Sequence, residues 1–442
     1  MKHNCVPPSG PKNADYFFIG EAPGRDEDKK LIPFVGKTGR EVNEHYLPLA
    51  NLRRENVYFT NAIKCLPPSS DGRLDMGRKQ DLDILDSCTV AHLFSEIEAV
   101  RPKYLIPMGA FACHALDPDI VLDLHHGIPM PSPFGGTMFP MWHPAGGIHE
   151  PKKMLQIRTD WVRLRRLGLG RLTIPKDAHP HPDYKVADRD DILCIDPNSP
   201  MAVDTESSKR LGPYCLTYSQ IPGTARLIKA DDPYSLNLFQ KQLDSWKSTL
   251  IFHNWMYDSR IVGKMGLRFP DSAIRDTMIE CFHLGNIPQA LKILAYRLLG
   301  MTMQDFEDLV KPYSRAHVLE YYHLAHTIPW PKPEEQVRRI DTGLFKLYRP
   351  QGLNTKLKRF FNELEKKPEK DVFGVWDNWE EDHAMIENLL GPWPGLDIAH
   401  TEFEEMLKYA CRDADATLRL SYVLEEMRLK AHSGVPQENW GV

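Results

Sequence analysis

A chain of 442 residues with 42% hydrophobic residues and a formal net charge of −5 has room for two or three domains, each burying its own core. No apolar run reaches the roughly 20 residues of a membrane span, and Met1-Lys2-His3-Asn4 leads into Pro7-Pro8 without an apolar signal segment, so neither a membrane protein nor a secreted one is expected. The eight cysteines are scattered rather than framed as a disulfide scaffold, which points to a reducing, cytoplasmic setting, and the slight acidity leaves a nucleic-acid partner open because phosphate binding needs only a local basic face.

From residue 15 to about 161, short apolar strands alternate with amphipathic helical stretches. Residues 16–19, 57–60 and 104–108 read as buried strands, with a helix over 82–100. This alternation predicts an open α/β/α sandwich with a mainly parallel sheet, whose ligands bind at the C-terminal strand ends. Gly20, Asn61, Gly109 and His143 each follow such a strand. From Pro151 the chain turns basic, with Lys152, Lys153, Arg158, Arg163, Arg165, Arg166 and Arg171, either a track for single-stranded DNA or a solvated helix face. Residues 166–195, rich in Pro, Asp and His, read as a linker between a first domain over 1–165 and a second over 196–442. The second is α/β again, with strands over 201–204, 215–219, 225–228 and 249–252 and helices over 256–264, 291–299 and 412–428. A charged helical insertion carrying Trp330, Trp376, Trp379 and Trp393 is expected over about 302–400.

The first domain carries Gly20-Glu21-Ala22-Pro23-Gly24, then Pro33-Phe34-Val35-Gly36-Lys37-Thr38-Gly39. It continues with Tyr58-x-Thr60-Asn61-x-x-Lys64-Cys65-x-Pro67-Pro68, a helix with Cys88, and His143-Pro144-Ala145. In this order and spacing the motifs resemble the bacterial and archaeal uracil-DNA glycosylases called family 4. The resemblance implies a pocket for a flipped base, which must stabilise an oxocarbenium-like sugar and an anionic leaving base. Phe34 would stack on uracil, Asn61 would read its edge, and Glu27 would block the methyl of thymine. His143 would donate to the base oxygen, and Glu21 would orient water or offset the sugar cation. Ala22 stands where more distant glycosylases carry an Asp base. The run Ala145-Gly146-Gly147-Ile148-His149 departs from the family's Leu-Leu-Arg wedge, which favours single-stranded substrate. Family members hold a [4Fe-4S] cluster on four cysteines, and Cys65 and Cys88 match the last two. Cys5 has Lys2 and Pro8, not cysteine, at its partner positions, so a set completed by His3 and a pair of merely buried thiols both stay open.

The second domain places Asp204 and Glu206 two apart at a strand end, hence on one face. Asp258 follows His253-Asn254 after another strand, and Tyr409 and Asp413 share a helix face. Four converging carboxylates repel unless cations neutralise them, and hard oxygen ligands suit two Mg²⁺ or Mn²⁺ ions. The set resembles the DEDD 3′–5′ proofreading exonuclease domain of family A DNA polymerases, a ribonuclease H-like fold. That implies Asp204, Glu206, Asp258 and Asp413 as metal ligands and Tyr409 orienting the attacking water. Asp276-Thr277-Met278 and Lys292-Ile293-Leu294-Ala295 are matches of a structural kind. With no polymerase following, the chain is similar to the front of a phage-type polymerase made as a separate subunit. Its expected partners are DNA, as single strands or 3′ ends, and a separate DNA polymerase. The expected function joins uracil recognition or excision to 3′–5′ exonucleolytic removal of nucleotides. The alternative is an exonuclease subunit whose glycosylase-like domain is silent and tethers DNA or a polymerase.

Overall fold

The computed structural model describes residues 4–67, 74–149, 153–208, 211–270, 274–285, 288–310, 337–340, 343–346 and 397–435. Two compact units emerge. The first comprises Met1–Pro180, Met278–Thr302 and Arg419–Val442, and the second comprises His181–Thr277 and Met303–Leu418.

In the first unit, strands β1 (Tyr16–Gly20), β2 (Val57–Asn61), β3 (Tyr104–Pro107), β4 (Met130–Pro131) and β5 (Thr137–Met138) form one sheet in the order β2-β1-β3-β5-β4. Every pairing is parallel except β4 with β5. Side chains alternate across a strand, so adjacent residues feed different cores. Phe18, Phe59 and Ile106 pack with Trp161 on one face. Phe17, Tyr58 and Leu105 pack with Leu85 and Leu93 on the other. Apolar burial on both faces is what makes the strands read as continuous hydrophobic runs, and it produces the expected sandwich. The helix expected over 82–100 runs from Lys79–Cys88 through a π-helical segment, Thr89–Leu93, to Phe94–Val100. Cys281, Leu294, Leu420, Leu424 and Met427 make a further core from the two late segments of this unit.

The second unit has a six-stranded mixed sheet. Its strands are β6 (Asp183–Val186), β7 (Met201–Ser208), β8 (Gly212–Ser219), β9 (Thr224–Lys229), β10 (Leu250–Phe252) and β11 (Ile274–Asp276), in the order β11-β10-β7-β8-β9-β6. The β7-β8-β9 meander is antiparallel, whereas β10 runs parallel to β7 and β11. Residues 183–193, expected as linker, instead supply edge strand β6 and a short helix, Arg189–Leu193. Polar chemistry holds them. Asp188 caps the helix in a reciprocal box with Asp191, and Arg226 bonds both Asp183 and Asp191. The buried Asp415 accepts from Tyr184 Oη at 2.8 Å. Strands β12 (Val337–Ile340) and β13 (Gly343–Lys346) pair antiparallel. Most of the expected insertion, with Trp330, Trp376, Trp379 and Trp393, lies outside the described residues. No described helix is long and apolar enough to cross a membrane.

Because the Asp188 cap satisfies an otherwise orphaned helix amide, Asp188→Ala should cost about 1 kcal/mol. Urea denaturation together with faster amide exchange over 183–193 would register the loss. Unchanged exchange there would mean the cap holds nothing.

Candidate functional site

The C-terminal ends of β1, β2 and β3 meet where the sheet register sets Gly20 beside Asn61. Asn61 is buried at the end of β2. His143 follows Met141, which bridges to Met108 just past β3. Phe34 is 4% exposed and has φ +58°, a left-handed backbone that costs a bulky residue about 1 kcal/mol or more. Its loop is tied down to sustain this. Glu27 accepts from the amides of Gly24 (2.9 Å) and Val35 (3.2 Å). Arg54 donates to Pro33 O at 2.9 Å while its guanidinium lies 4.2 Å from the Phe59 ring centre. Asn43 Nδ2 reaches Phe34 O. A Cβ on Gly20 would fall on Asn61 Oδ1 and the Phe34 ring, so only glycine lets the three come this close.

Phe34, Asn61, His143 and Glu27 line one cavity of about 330 Å³, within the usual range for small-ligand sites. The exposed Arg25 and Lys37 also line it. His143 Nδ1 accepts the Ala145 amide at 3.2 Å, so the neutral ring carries its proton on Nε2. Burial lowers the His143 pKa to about 4, which keeps the ring neutral at physiological pH. Glu21, next to Gly20, is pushed up to about 7 by burial and then by Asp81. Burial also raises Glu27, against the backbone amides that favour its ionised form.

Cys5, Cys65 and Cys88 lie near enough for Cys88 and Cys5 to act electrostatically on Cys65. Val6 N donates to Lys64 O at 2.7 Å, which lays Cys5 along Cys65. Burial raises the Cys65 pKa, with Cys88 and Cys5 adding to it. All three are free thiols. Thiolate donors suit iron–sulfur chemistry, but Cys5 has no cysteine at its Cys-x-x-Cys partner positions, Lys2 and Pro8, so this donor set is one thiol short of four.

In the second unit, Asp204, Glu206 and Asp413 bring carboxylate oxygens within 4.8 Å of one another. Burial drives Asp204 well above the ordinary carboxylate range, followed by the charges of Asp258, Asp413 and Glu206. Tyr409 faces the same acids. Burial and then Asp413, Glu206 and Asp204 raise its hydroxyl. Asp258 is the leading charge acting on Asp204, and its Oδ1 accepts from Thr205 N (3.1 Å) and Thr205 Oγ1 (2.6 Å). Burial pushes Asp258 up to about 7. Asp276 accepts from the Asn254 and Trp255 amides and so caps the helix Trp255–Lys264 that carries Asp258.

Sequence reasoning missed Arg54 and Thr205. The first has no local signal, since it acts 21 residues back along the chain. The second sits between two acids of a motif and was readable as a polar residue in an apolar strand.

Gly20→Ala should destabilise the first unit by roughly 1–3 kcal/mol through overpacking, read as a shifted urea midpoint. The His143 ring should titrate near pH 4 by NMR. A midpoint near the usual 6.5 would show that burial does not hold the ring neutral.

Residues 7–165 match the uracil DNA glycosylase superfamily. A type-4 uracil-DNA glycosylase of Archaeoglobus fulgidus is 41% identical over 111 residues, covering 25% of this chain and 51% of that protein. The type-4 enzyme of Saccharolobus solfataricus is 30% identical over 173 residues, 37% of this chain and 76% of that protein. That of Sulfurisphaera tokodaii is 26% identical over 181 residues, 38% and 77% respectively. The chain thus spans about half the length of the Archaeoglobus relative and three quarters of the other two.

Proposed function

The chain belongs to the uracil-DNA glycosylase superfamily through its N-terminal part, and on that premise we propose that it excises uracil from DNA. The observation that carries the reading is the single cavity that Phe34, Asn61, Glu27 and His143 share. A base turned out of the strand stacks on Phe34 and pairs its edge with the Asn61 amide, and a base with the opposite donor pattern leaves that buried amide unpaired. Glu27, fixed by its two amides, fills the side where a thymine methyl would go. Arg25 and Lys37 supply cations to the flanking phosphates. As the bond from C1′ to N1 breaks, its electrons leave with the base, and the Nε2–H of neutral His143 donates to the base oxygen that gains charge. Glu21, once ionised, orients a water toward C1′ and offsets the sugar cation. Cys5, Cys65 and Cys88 would hold an iron–sulfur cluster, whose chemistry here is to brace the fold rather than to react.

The gathered carboxylates of the second unit favour a second activity, 3′–5′ exonucleolysis on a ribonuclease H-like domain. Three acids this close carry a repulsion that divalent cations relieve, and their oxygen donors suit Mg²⁺ or Mn²⁺. Asp204, Glu206 and Asp413 would hold such ions, with Asp258 joining if it leaves Thr205. Bound there, the ions would supply charge neutralisation for phosphodiester hydrolysis. Tyr409, its hydroxyl kept protonated, would orient water. The reading makes this chain a partner for DNA 3′ ends and for a separate DNA polymerase.

One assay separates the activities: end-labelled uracil strands, with and without EDTA, followed by alkali. Abasic cleavage should persist in EDTA and in the Asp204→Ala/Glu206→Ala double variant, whereas stepwise 3′ shortening should vanish in both. No abasic product from single or double strands would sink the excision reading and leave the domain a DNA tether. Shortening that survives the double variant would sink the exonuclease reading.

The Glu21 pKa sets a pH dependence. Excision should rise as pH climbs through about 7, where the carboxyl ionises, and Glu21→Gln should flatten that rise. Stability moves the other way. A folded pKa above the reference 4.5 favours the protonated folded form, so stability falls as pH rises from about 4.5 to about 7. The Gln variant should lose this slope in urea titrations.

A further inference from the structure

We propose that Asp160 is a positioning residue for His143, and that Arg297, from a far later part of the chain, completes its hold. The proposal rests on the base-pocket reading and adds the device that aims the imidazole. Asp160 is 0% exposed. Its Oδ2 accepts the amide of Trp142, the residue before His143, at 3.3 Å. Its Oδ1 meets His126 Nδ1 at 2.9 Å, and since a carboxylate accepts, His126 donates.

The turn that brings His126 there is shaped around the carboxylate. Gly127 has φ +69°, and a Cβ on it would strike Asp160 Oδ1. Gly127 N donates to Pro140 O at 2.8 Å, tying the same turn to the segment that leads into His143. Two guanidiniums close the arrangement. Arg163 Nε donates to Gly127 O at 2.6 Å, and Arg297 donates to His126 O at 3.0 Å. Tyr296 sets its ring edge-on to His125, with centroids 4.9 Å apart. Burial lowers both arginines, and the Asp160 charge pulls each the other way.

The same turn therefore fixes two things at once. A buried carboxylate is tolerated only with its bonds and opposite charges in place, so Asp160 admits few alternative positions for the Trp142 amide. One peptide further on stands His143, whose Nδ1 is taken by Ala145 and whose Nε2–H alone is free to serve the base. Rotating the Trp142 peptide swings that donor. A misplacement of about 1 Å at a reacting group costs on the order of 100-fold in rate.

Residues 291–299 read in sequence as part of the second domain. In the structure they belong to the unit that contains the base pocket. Arg297 acts on His143 through His126 and Asp160, and it touches neither the cavity nor the base.

The test uses the full chain with Asp160→Asn, Arg297→Met and Arg297→Lys. Asparagine has one acceptor oxygen where Asp160 uses two, and methionine keeps length without donating. Both should lower kcat for uracil release about 10- to 100-fold while KM moves less than about threefold, because the donor acts as charge develops rather than in binding. Arg297→Lys should recover part of the loss. The ring resonances of His143, assigned by comparison with His143→Gln, should shift in both loss variants. Circular dichroism and urea midpoints identify any variant that fails to fold, and if Asp160→Asn fails, the Arg297 pair decides. Unmoved His143 resonances in folded Arg297→Met, or a loss in KM alone, would overturn the proposal. If the unaltered chain releases no uracil, the excision reading falls, and the His143 resonances still decide whether Asp160 and Arg297 aim the ring.

Discussion

Three parallel strands that stop together constrain nearly everything in the first unit. Because β2, β1 and β3 run side by side in register, Gly20, Asn61 and the turn after Met108 emerge along one edge of the sheet. Parallel strands leave their ends open to loops on that edge. The cavity is thus a product of register, and a one-residue slip would send the Asn61 amide to the wrong face. Gly20 adds the second condition, since only an absent side chain allows the Phe34 ring and the Asn61 amide to crowd the same strand end.

The pocket also shows how a fold holds an unfavourable backbone. Phe34 stands in a region that bulky residues avoid. The surrounding loop compensates with charged groups that reach backbone atoms, Glu27 to two amides and Arg54 to a carbonyl. Charge-assisted bonds of this sort are stronger than neutral ones. Glu27 is therefore a clamp on the loop that carries Phe34. The second unit meets an electrostatic version of the problem. Its acids crowd together, Asp258 among them, and Thr205 holds Asp258 in place with two hydrogen bonds.

Much of this was legible in the sequence, for physical reasons that can be named. Strands β1, β2 and β3 are buried on both faces and read as unbroken apolar runs. The pocket residues lie within short motifs whose spacing is set by the turns that follow those strands. What stayed hidden depends on partners far along the chain. Arg54 bonds a carbonyl 21 residues earlier, and Arg297 bonds one 171 residues earlier. No local pattern marks either. Residues 183–193 looked like a linker because the polar residues that cap and bridge them are the same types that populate loops. Asp258 follows its motif in sequence, but the two hydrogen bonds that Thr205 gives it could not be read from that motif.

The first unit is assembled from three separated stretches, the last beginning at Arg419. A chain made by simply appending one finished module to another would keep each module's stretches contiguous. Here a recombination crossover anywhere from residue 181 to 277 would part residues 4–180 from Tyr296 and Arg297, which reach His125 and His126, and from Arg419, which bonds Asp177. The first unit of this chain therefore depends on sequence far beyond its pocket motifs, and a homologue that kept those motifs but exchanged everything after them would need a new way to cover His126.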